Sequence, residues 1–160
     1  MDRMSSSTTE LEFRRPHATS APTAETEQVF SKAHGSLRDK LLTVISKKLT
    51  GEELQAAMRD VGRKVADARR PDVKGKNRKD RIKAALRILR ELGGAASFHA
   101  GNGRDFIRGN GWPFEAASSR HPEACLIAES LLTEMIGAAV KRRCQHEQNS
   151  PCWFEVSRSA

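Results

Sequence analysis

Apolar residues in the first half of the chain recur every three or four positions. Leu37, Leu41, Leu42, Val44, Ile45 and Leu49 form a stripe that predicts a helix over 27–48. Thr50-Gly51-Glu52-Glu53 has the form of a capping box, in which the Thr side chain accepts from the third amide and the Glu reaches back. Behind it, Leu54, Ala57, Met58, Val61 and Val65 continue the helical spacing to about 68. Asn77 suits an N-cap, with Asp80 in the first turn, and Ile82, Ala85, Leu86, Leu89 and Leu92 give a third helix its buried face. Gly93-Gly94 ends that helix, and the period then shortens. A hairpin is expected, with strands over 95–100 and 104–108 around a Gly101-Asn102-Gly103 turn, because Gly and Asn supply the positive φ that tight turns need.

The second half repeats the order, helices before strands. Pro113 suits the first position of a short helix, with Phe114, Ala116 and Ala117 facing inward. A further helix opens at Pro122 and carries Ala124, Cys125, Ala128, Leu131, Leu132, Met135 and Ile136 on one wide apolar face, with Glu129 and Glu134 on its solvated side. Gly137 stands where a left-handed cap is expected. Two short strands, 138–145 and 152–156, follow, joined by a polar turn through Gln148, Asn149, Ser150 and Pro151. The fold class implied is α+β: N-terminal helices, then a four-stranded antiparallel sheet in the order β-β-α-α-β-β with helices packed on one face. The expected organisation is a disordered tail over 1–26, a helical hairpin over 27–70, a basic linker over 71–79 and an α+β sensor or effector domain over 80–157.

Charge changes this picture locally. The formal net charge is +8, and 63–90 alone holds twelve Lys or Arg against three Asp. Arg63, Lys64, Arg69, Arg70, Lys74, Lys76, Arg78 and Lys79 are therefore candidate contacts to nucleic-acid phosphates, which position a protein without specifying sequence. The plain alternative is a solvated charge run. No aromatic residue is interleaved in that run, so it offers no stacking platform for single strands. The helix pair over 27–70 admits two readings. One is a DNA-reading helix-turn-helix using Arg59, Arg63 and Lys64; the other is a packing or dimerising hairpin.

The chemistry lies near the C-terminus. Three cysteines, Cys125, Cys144 and Cys152, fall within 28 residues of one another in a C-x18-C-x7-C spacing that matches no common zinc signature. They read either as buried free thiols or as metal ligands. Zinc wants four N or S ligands and iron–sulfur clusters usually want four thiolates, so His121 or His146 is the candidate fourth ligand. An odd cysteine count with no signal-peptide pattern and no apolar span predicts a reducing cytoplasm and no membrane.

The segment also carries a resemblance. Trp112-Pro113-Phe114, His121-Pro122-Glu123-Ala124-Cys125, Leu131-Leu132 with Gly137, Cys144, and Pro151-Cys152-Trp153-Phe154 resemble the C-terminal effector domain of ArsR/DeoR-like helix-turn-helix regulators, a group that includes repressors of iron–sulfur biogenesis genes. The likeness extends weakly upstream to about Leu54 and so covers about two thirds of the chain. The 4-vinyl reductase type of sensor domain is a more distant likeness. The resemblance implies a transcription-regulatory, ligand- or metal-sensing module, with an iron–sulfur cluster or zinc as cofactor and a homodimer or a partner regulator as its company. Two departures stand out. The family pattern begins with Cys where this chain has Trp112, which reads as a plug, and the polar first 25 to 35 residues do not suit a winged helix.

No catalytic constellation is visible. A nucleophile elbow, a phosphate-cradling glycine loop and an HExxH motif are all missing from the sequence. The expectation is a protein that acts by binding rather than catalysis, with direct nucleic-acid binding through 63–90 as the alternative.

Overall fold

The computed structural model describes residues 24–72, 77–110, 115–144 and 151–158. Helix α1 spans Ala24–Lys48 and α2 spans Gly51–Arg69, followed by a 3-10 turn at Arg70–Asp72. Helix α3 (Arg78–Glu91) leads into the hairpin of β1 (Ala95–Gly101) and β2 (Arg104–Asn110). A four-residue helix α4 (Glu115–Ser118), a 3-10 turn (Pro122–Ala124) and helix α5 (Cys125–Ile136) come next, then β3 (Val140–Arg142) and β4 (Cys152–Val156). The class is α+β, and the single four-stranded antiparallel sheet has the order β1-β2-β4-β3.

The caps are those the residue types call for. Thr50 and Glu53 form a reciprocal capping box, and Asn77 accepts from the amide of Asp80. The β1–β2 turn is the two-residue Asn102-Gly103, both at positive φ (38° and 80°), so Gly101 belongs to the strand rather than to the turn. Gly137 closes α5 at φ 70°.

Several expectations need correction. Helix α1 begins at Ala24, inside the stretch assigned to a disordered tail, and α3 begins at Arg78, inside the stretch assigned to a basic linker. The six-residue stripe of α1 is not one buried face. Leu42 is buried and Ile45 and Leu49 pack against the core, while Leu37, Leu41 and Val44 are exposed. Helix α5 is not amphipathic. Leu126, Ile127 and Ser130 are buried along with the seven apolar residues expected there, so it runs through the core. Its two carboxylates are engaged: Glu129 accepts from the Arg142 amide at 2.8 Å and Glu134 pairs with Arg70 at 3.0 Å. Strand β3 is three residues long, so Cys144 lies just beyond it rather than on it. Pro113, Phe114, the turn from Gln148 to Ser150 and most of the expected tail lie outside the described residues.

The core joins α2, α3 and α5 to one face of the sheet. Ala96, Ile107, Val140, Cys152, Phe154 and Val156 are apolar sheet residues buried in it. Helices α2 and α5 approach closely at Gly62, where an added Cβ would collide with the Ile127 carbonyl and stand 2.8 Å from Ser130 Cβ. Ser130 donates to the Arg59 carbonyl at 2.8 Å across the same contact. At one end of the sheet, the buried Asp105 accepts from Arg78 and from Arg158, each at 2.8 Å, which fastens α3 and the segment after β4 to β2.

Candidate metal centre

Three elements converge on one point. Cys125 is the first residue of α5, immediately after the Pro122–Ala124 turn. Cys152 opens β4 and faces the helices, because alternate residues of that strand are buried. Cys144 follows β3 and is brought in by the β3–β4 pairing. The Trp153 carbonyl accepts from the Arg143 amide at 2.6 Å and from the Cys144 thiol at 3.7 Å. Arg142 locks the arrangement: its amide donates to Glu129 of α5 and its guanidinium donates to the Pro122 carbonyl at 2.6 Å. The strand that delivers Cys144 is thus tied at two points to the turn and helix that deliver Cys125.

The three Sγ atoms lie within 4.8 Å of one another, and Cys125 Sγ and Cys152 Sγ are 3.9 Å apart. Cys125 and Cys152 are buried and Cys144 is half-buried, and none of the three is in a disulfide. Contact with the Cys144 thiol, then with Cys152, then burial, pushes the Cys125 thiol well above its ordinary range. A thiol held that way is a poor nucleophile and a good place for a cation, since a bound ion would remove the penalty on three adjacent thiolates. The position of Cys125 at a helix N-terminus acts against that rise, because backbone amides there favour the thiolate that a metal would need. Residue 109, the cross-strand partner of Cys152, is a glycine. Among the described residues nothing stands within 4 Å of where its Cβ would be, so no described side chain fills that place beside Cys152.

Of the five residues expected to ligate, the structure brings together the three cysteines. His121 is placed elsewhere. Its Nε2 lies 3.2 Å from Thr43 Oγ1 and 3.7 Å from Asp39 Oδ1, where it ties the turn before α5 to α1. His146 and Trp112 lie outside the described residues.

The basic run is largely engaged within the fold. Arg63 and Lys64 pair with Asp60, Arg69 with Glu91, Arg70 with Asp67 and Glu134, and Arg78 with Asp105. Lys79 is exposed, and Lys74 and Lys76 lie outside the described residues. The residues that sequence reasoning passed over are on the other face of the sheet: His99, Phe106, Arg108 and Trp153 touch one another there. The signal available for them was the parity of β4, which puts Trp153 and Cys152 on opposite faces. Among the described residues no helix is long and apolar enough to cross a membrane. Comparison of the sequence with protein-family models and with curated proteins finds no match.

Proposed function

We propose that this chain is a regulatory metal-sensing module that acts by binding, with Cys125, Cys144 and Cys152 as its ligands. One observation carries the reading: three sulfurs from a helix, a post-strand segment and a strand meet within 4.8 Å at the edge of the hydrophobic core. Zinc–sulfur bonds of about 2.3 Å in a tetrahedron put sulfurs roughly 3.8 Å apart. The 3.9 Å between Cys125 and Cys152 suits two ligands of one such ion. A cubane cluster attaches each thiolate to a different iron and therefore wants them more widely spread. The spacing favours a single thiophilic ion such as zinc over an iron–sulfur cluster. Three cysteines outside any disulfide fit a reducing cytoplasm. The link to transcription regulation rests on the resemblance to ArsR/DeoR-like effector domains, and so does a homodimer or a partner regulator as the recipient of the signal. Direct nucleic-acid binding through 63–90 ranks second, because Arg69, Arg70 and Arg78 already hold carboxylates of the fold.

The test is anaerobic purification with metal analysis and an absorption spectrum, followed by Cys→Ser at each position. We expect about one zinc-class ion per chain, lost or weakened at least about tenfold in each single variant. Iron with acid-labile sulfide would replace the zinc assignment with a cluster. A chain that purifies metal-free, takes up neither zinc nor a reconstituted cluster, and is unchanged by all three substitutions would end the metal reading.

A further inference from the structure

The face of the sheet turned away from the helices is organised as well as the pocket is. Its rows follow from the strand register. Lys141, Glu155, Phe106 and His99 lie across from one another in one row, and Trp153, Arg108 and Ser97 in the next. Arg143, whose amide donates to the Trp153 carbonyl, extends the second row. Phe106 meets Trp153 edge-on at 6.2 Å between ring centroids, and His99 lies 5.5 Å from Trp153 in a tilted arrangement. The Arg108 guanidinium sits 5.7 Å from the Trp153 ring centroid, and its Nε is buried with no hydrogen-bond partner among the described residues.

Around the rings lies positive charge. Among the described residues of this face, Arg104, Arg108, Lys141 and Arg143 stand with a single carboxylate, Glu155. An antiparallel sheet with one solvated face ordinarily fills it with mixed polar residues. Here the face combines adjacent aromatic planes with an excess of cations, the pairing that the basic run 63–90 lacks. That combination recognises one chemistry: exposed bases stack on rings while the linking phosphates meet Arg and Lys. In a duplex the base planes are already stacked inside, and aromatic side chains on a sheet find no free base face there. A second copy of this face would bring four more cations against these, so self-association through it is opposed by charge.

We propose that this open face is a binding platform for single-stranded nucleic acid, with Trp153, Phe106 and His99 stacking bases and Arg104, Arg108, Lys141 and Arg143 contacting phosphates. It stands independently of the metal reading, since its residues point away from the sulfurs. Trp153 is one of two tryptophans in the chain, so the full-length Trp112→Phe protein reports on it alone by fluorescence. The probe is oligothymidylate, titrated at low and at high salt, with a duplex of equal length as comparison. We expect quenching of Trp153 by the single strand at low salt and weaker binding as salt rises. We expect the duplex to bind at least about tenfold more weakly than the single strand, because it offers no free base planes. Trp153→Leu, read by anisotropy of a labelled oligonucleotide, should lower affinity about tenfold or more, the usual cost of removing one stacking ring. Arg104→Gln should lower it less and reduce the salt slope by about 0.7. Should Trp153→Leu fail to fold, Arg104→Gln and Lys141→Gln, both at exposed side chains, carry the test through the slope. Absence of any single-strand complex at low salt overturns the proposal. So does equal binding of duplex with no effect of Trp153→Leu, which would move the contact to the basic run. Concentration-dependent shielding of Trp153 without added oligonucleotide also overturns it, in favour of a second copy on this face.

Discussion

Strand β4 separates two regions built from neighbouring residues. Cys152, Phe154 and Val156 point into the core, while Trp153 and Glu155 are half-buried on the opposite face. The inner region is closed. Two of its three sulfurs are fully buried, and helices α2 and α5 back it with a contact that tolerates no added atoms. The outer region is open, its rings are held by one another and by Arg108, and its ion pairs are largely solvated. A closed pocket selects by what fits between fixed ligands; an open platform selects by charge and by planes that any base can cover. On the two proposals above, the same five residues serve two kinds of recognition, and a perturbation on either side should register mainly on that side.

The strongest perturbation available is Gly62→Leu. A side chain there must displace the α5 backbone between Ile127 and Leu131, because the obstacles are a carbonyl and an amide rather than a flexible side-chain end. Overpacking of this kind costs about 3 kcal/mol. For a chain of this size that corresponds to a fall in Tm of roughly 10 °C. Cys125 sits half a turn before the obstructed stretch, so reaction of the thiols with a disulfide reagent should accelerate severalfold. The emission of Trp153 should move far less. A variant with the parent's Tm and unchanged thiol reactivity would show that α5 does not hold the pocket in place.

Asp105 closes the end of the sheet. Its carboxylate is buried, and hydrogen bonding from Arg158, then from Arg78, holds its carboxyl below the ordinary range against the opposing effect of burial. Asp105→Asn removes one charge from between two guanidiniums that are themselves partly exposed and can regain water. The cost should therefore be about 2 kcal/mol, below that of stranding a fully buried charge. The pH dependence follows from the direction of the shift. A carboxyl whose folded-state value is depressed binds protons more readily when unfolded. Its contribution is complete above about pH 5 and fades as pH falls below about 4, the ordinary Asp value, toward the lower folded one. Urea denaturation across that range should show the gap between parent and variant closing in acid. A gap that stays constant to low pH would mean that the carboxylate charge is not what stabilises this corner.

Much of this arrangement could be read from the chain, for reasons that differ between regions. Caps and turns were legible because they are local: Thr50 with Glu53, Asn77 with Asp80 and Asn102-Gly103 each need only residues within a few positions. The convergence of the sulfurs was legible only as an expectation. It depends on β4 pairing with β2 on one side and β3 on the other, a non-local fact that spacing along the chain does not encode. His121 misled because its closeness to Cys125 in sequence says nothing of direction. It lies before the turn into α5 and points to α1. The exposed Leu37, Leu41 and Val44 misled in the opposite way, since helical periodicity marks an apolar face without saying what covers it. Membership of the outer region was hidden in parity, because Trp153 sits between two residues that attract attention for other reasons.

The finest distinction between the two faces is in their carboxylates. Glu155 carries the one negative charge of the open face among the described residues and accepts from Arg143 at 2.8 Å, with Arg104 at 3.9 Å. Both arginine side chains are more than half exposed, at 55% and 67%. Ion pairs of this kind contribute about 0 to 1 kcal/mol, so Glu155→Gln should change stability by no more than about 0.5 kcal/mol, in contrast to Asp105→Asn. Its effect on recognition should have the opposite sign. Removing the carboxylate releases two guanidiniums and ends the repulsion felt by a phosphate. Oligothymidylate affinity at low salt should then rise a fewfold, with a steeper salt dependence. Metal content should not change, because the side chain points away from the sulfurs. Glu155→Gln would thus raise one activity while leaving the other and the fold nearly untouched. If it instead weakened the oligonucleotide complex or released the metal, the two sides of β4 would have to be treated as one coupled site, with the ion pair transmitting between them.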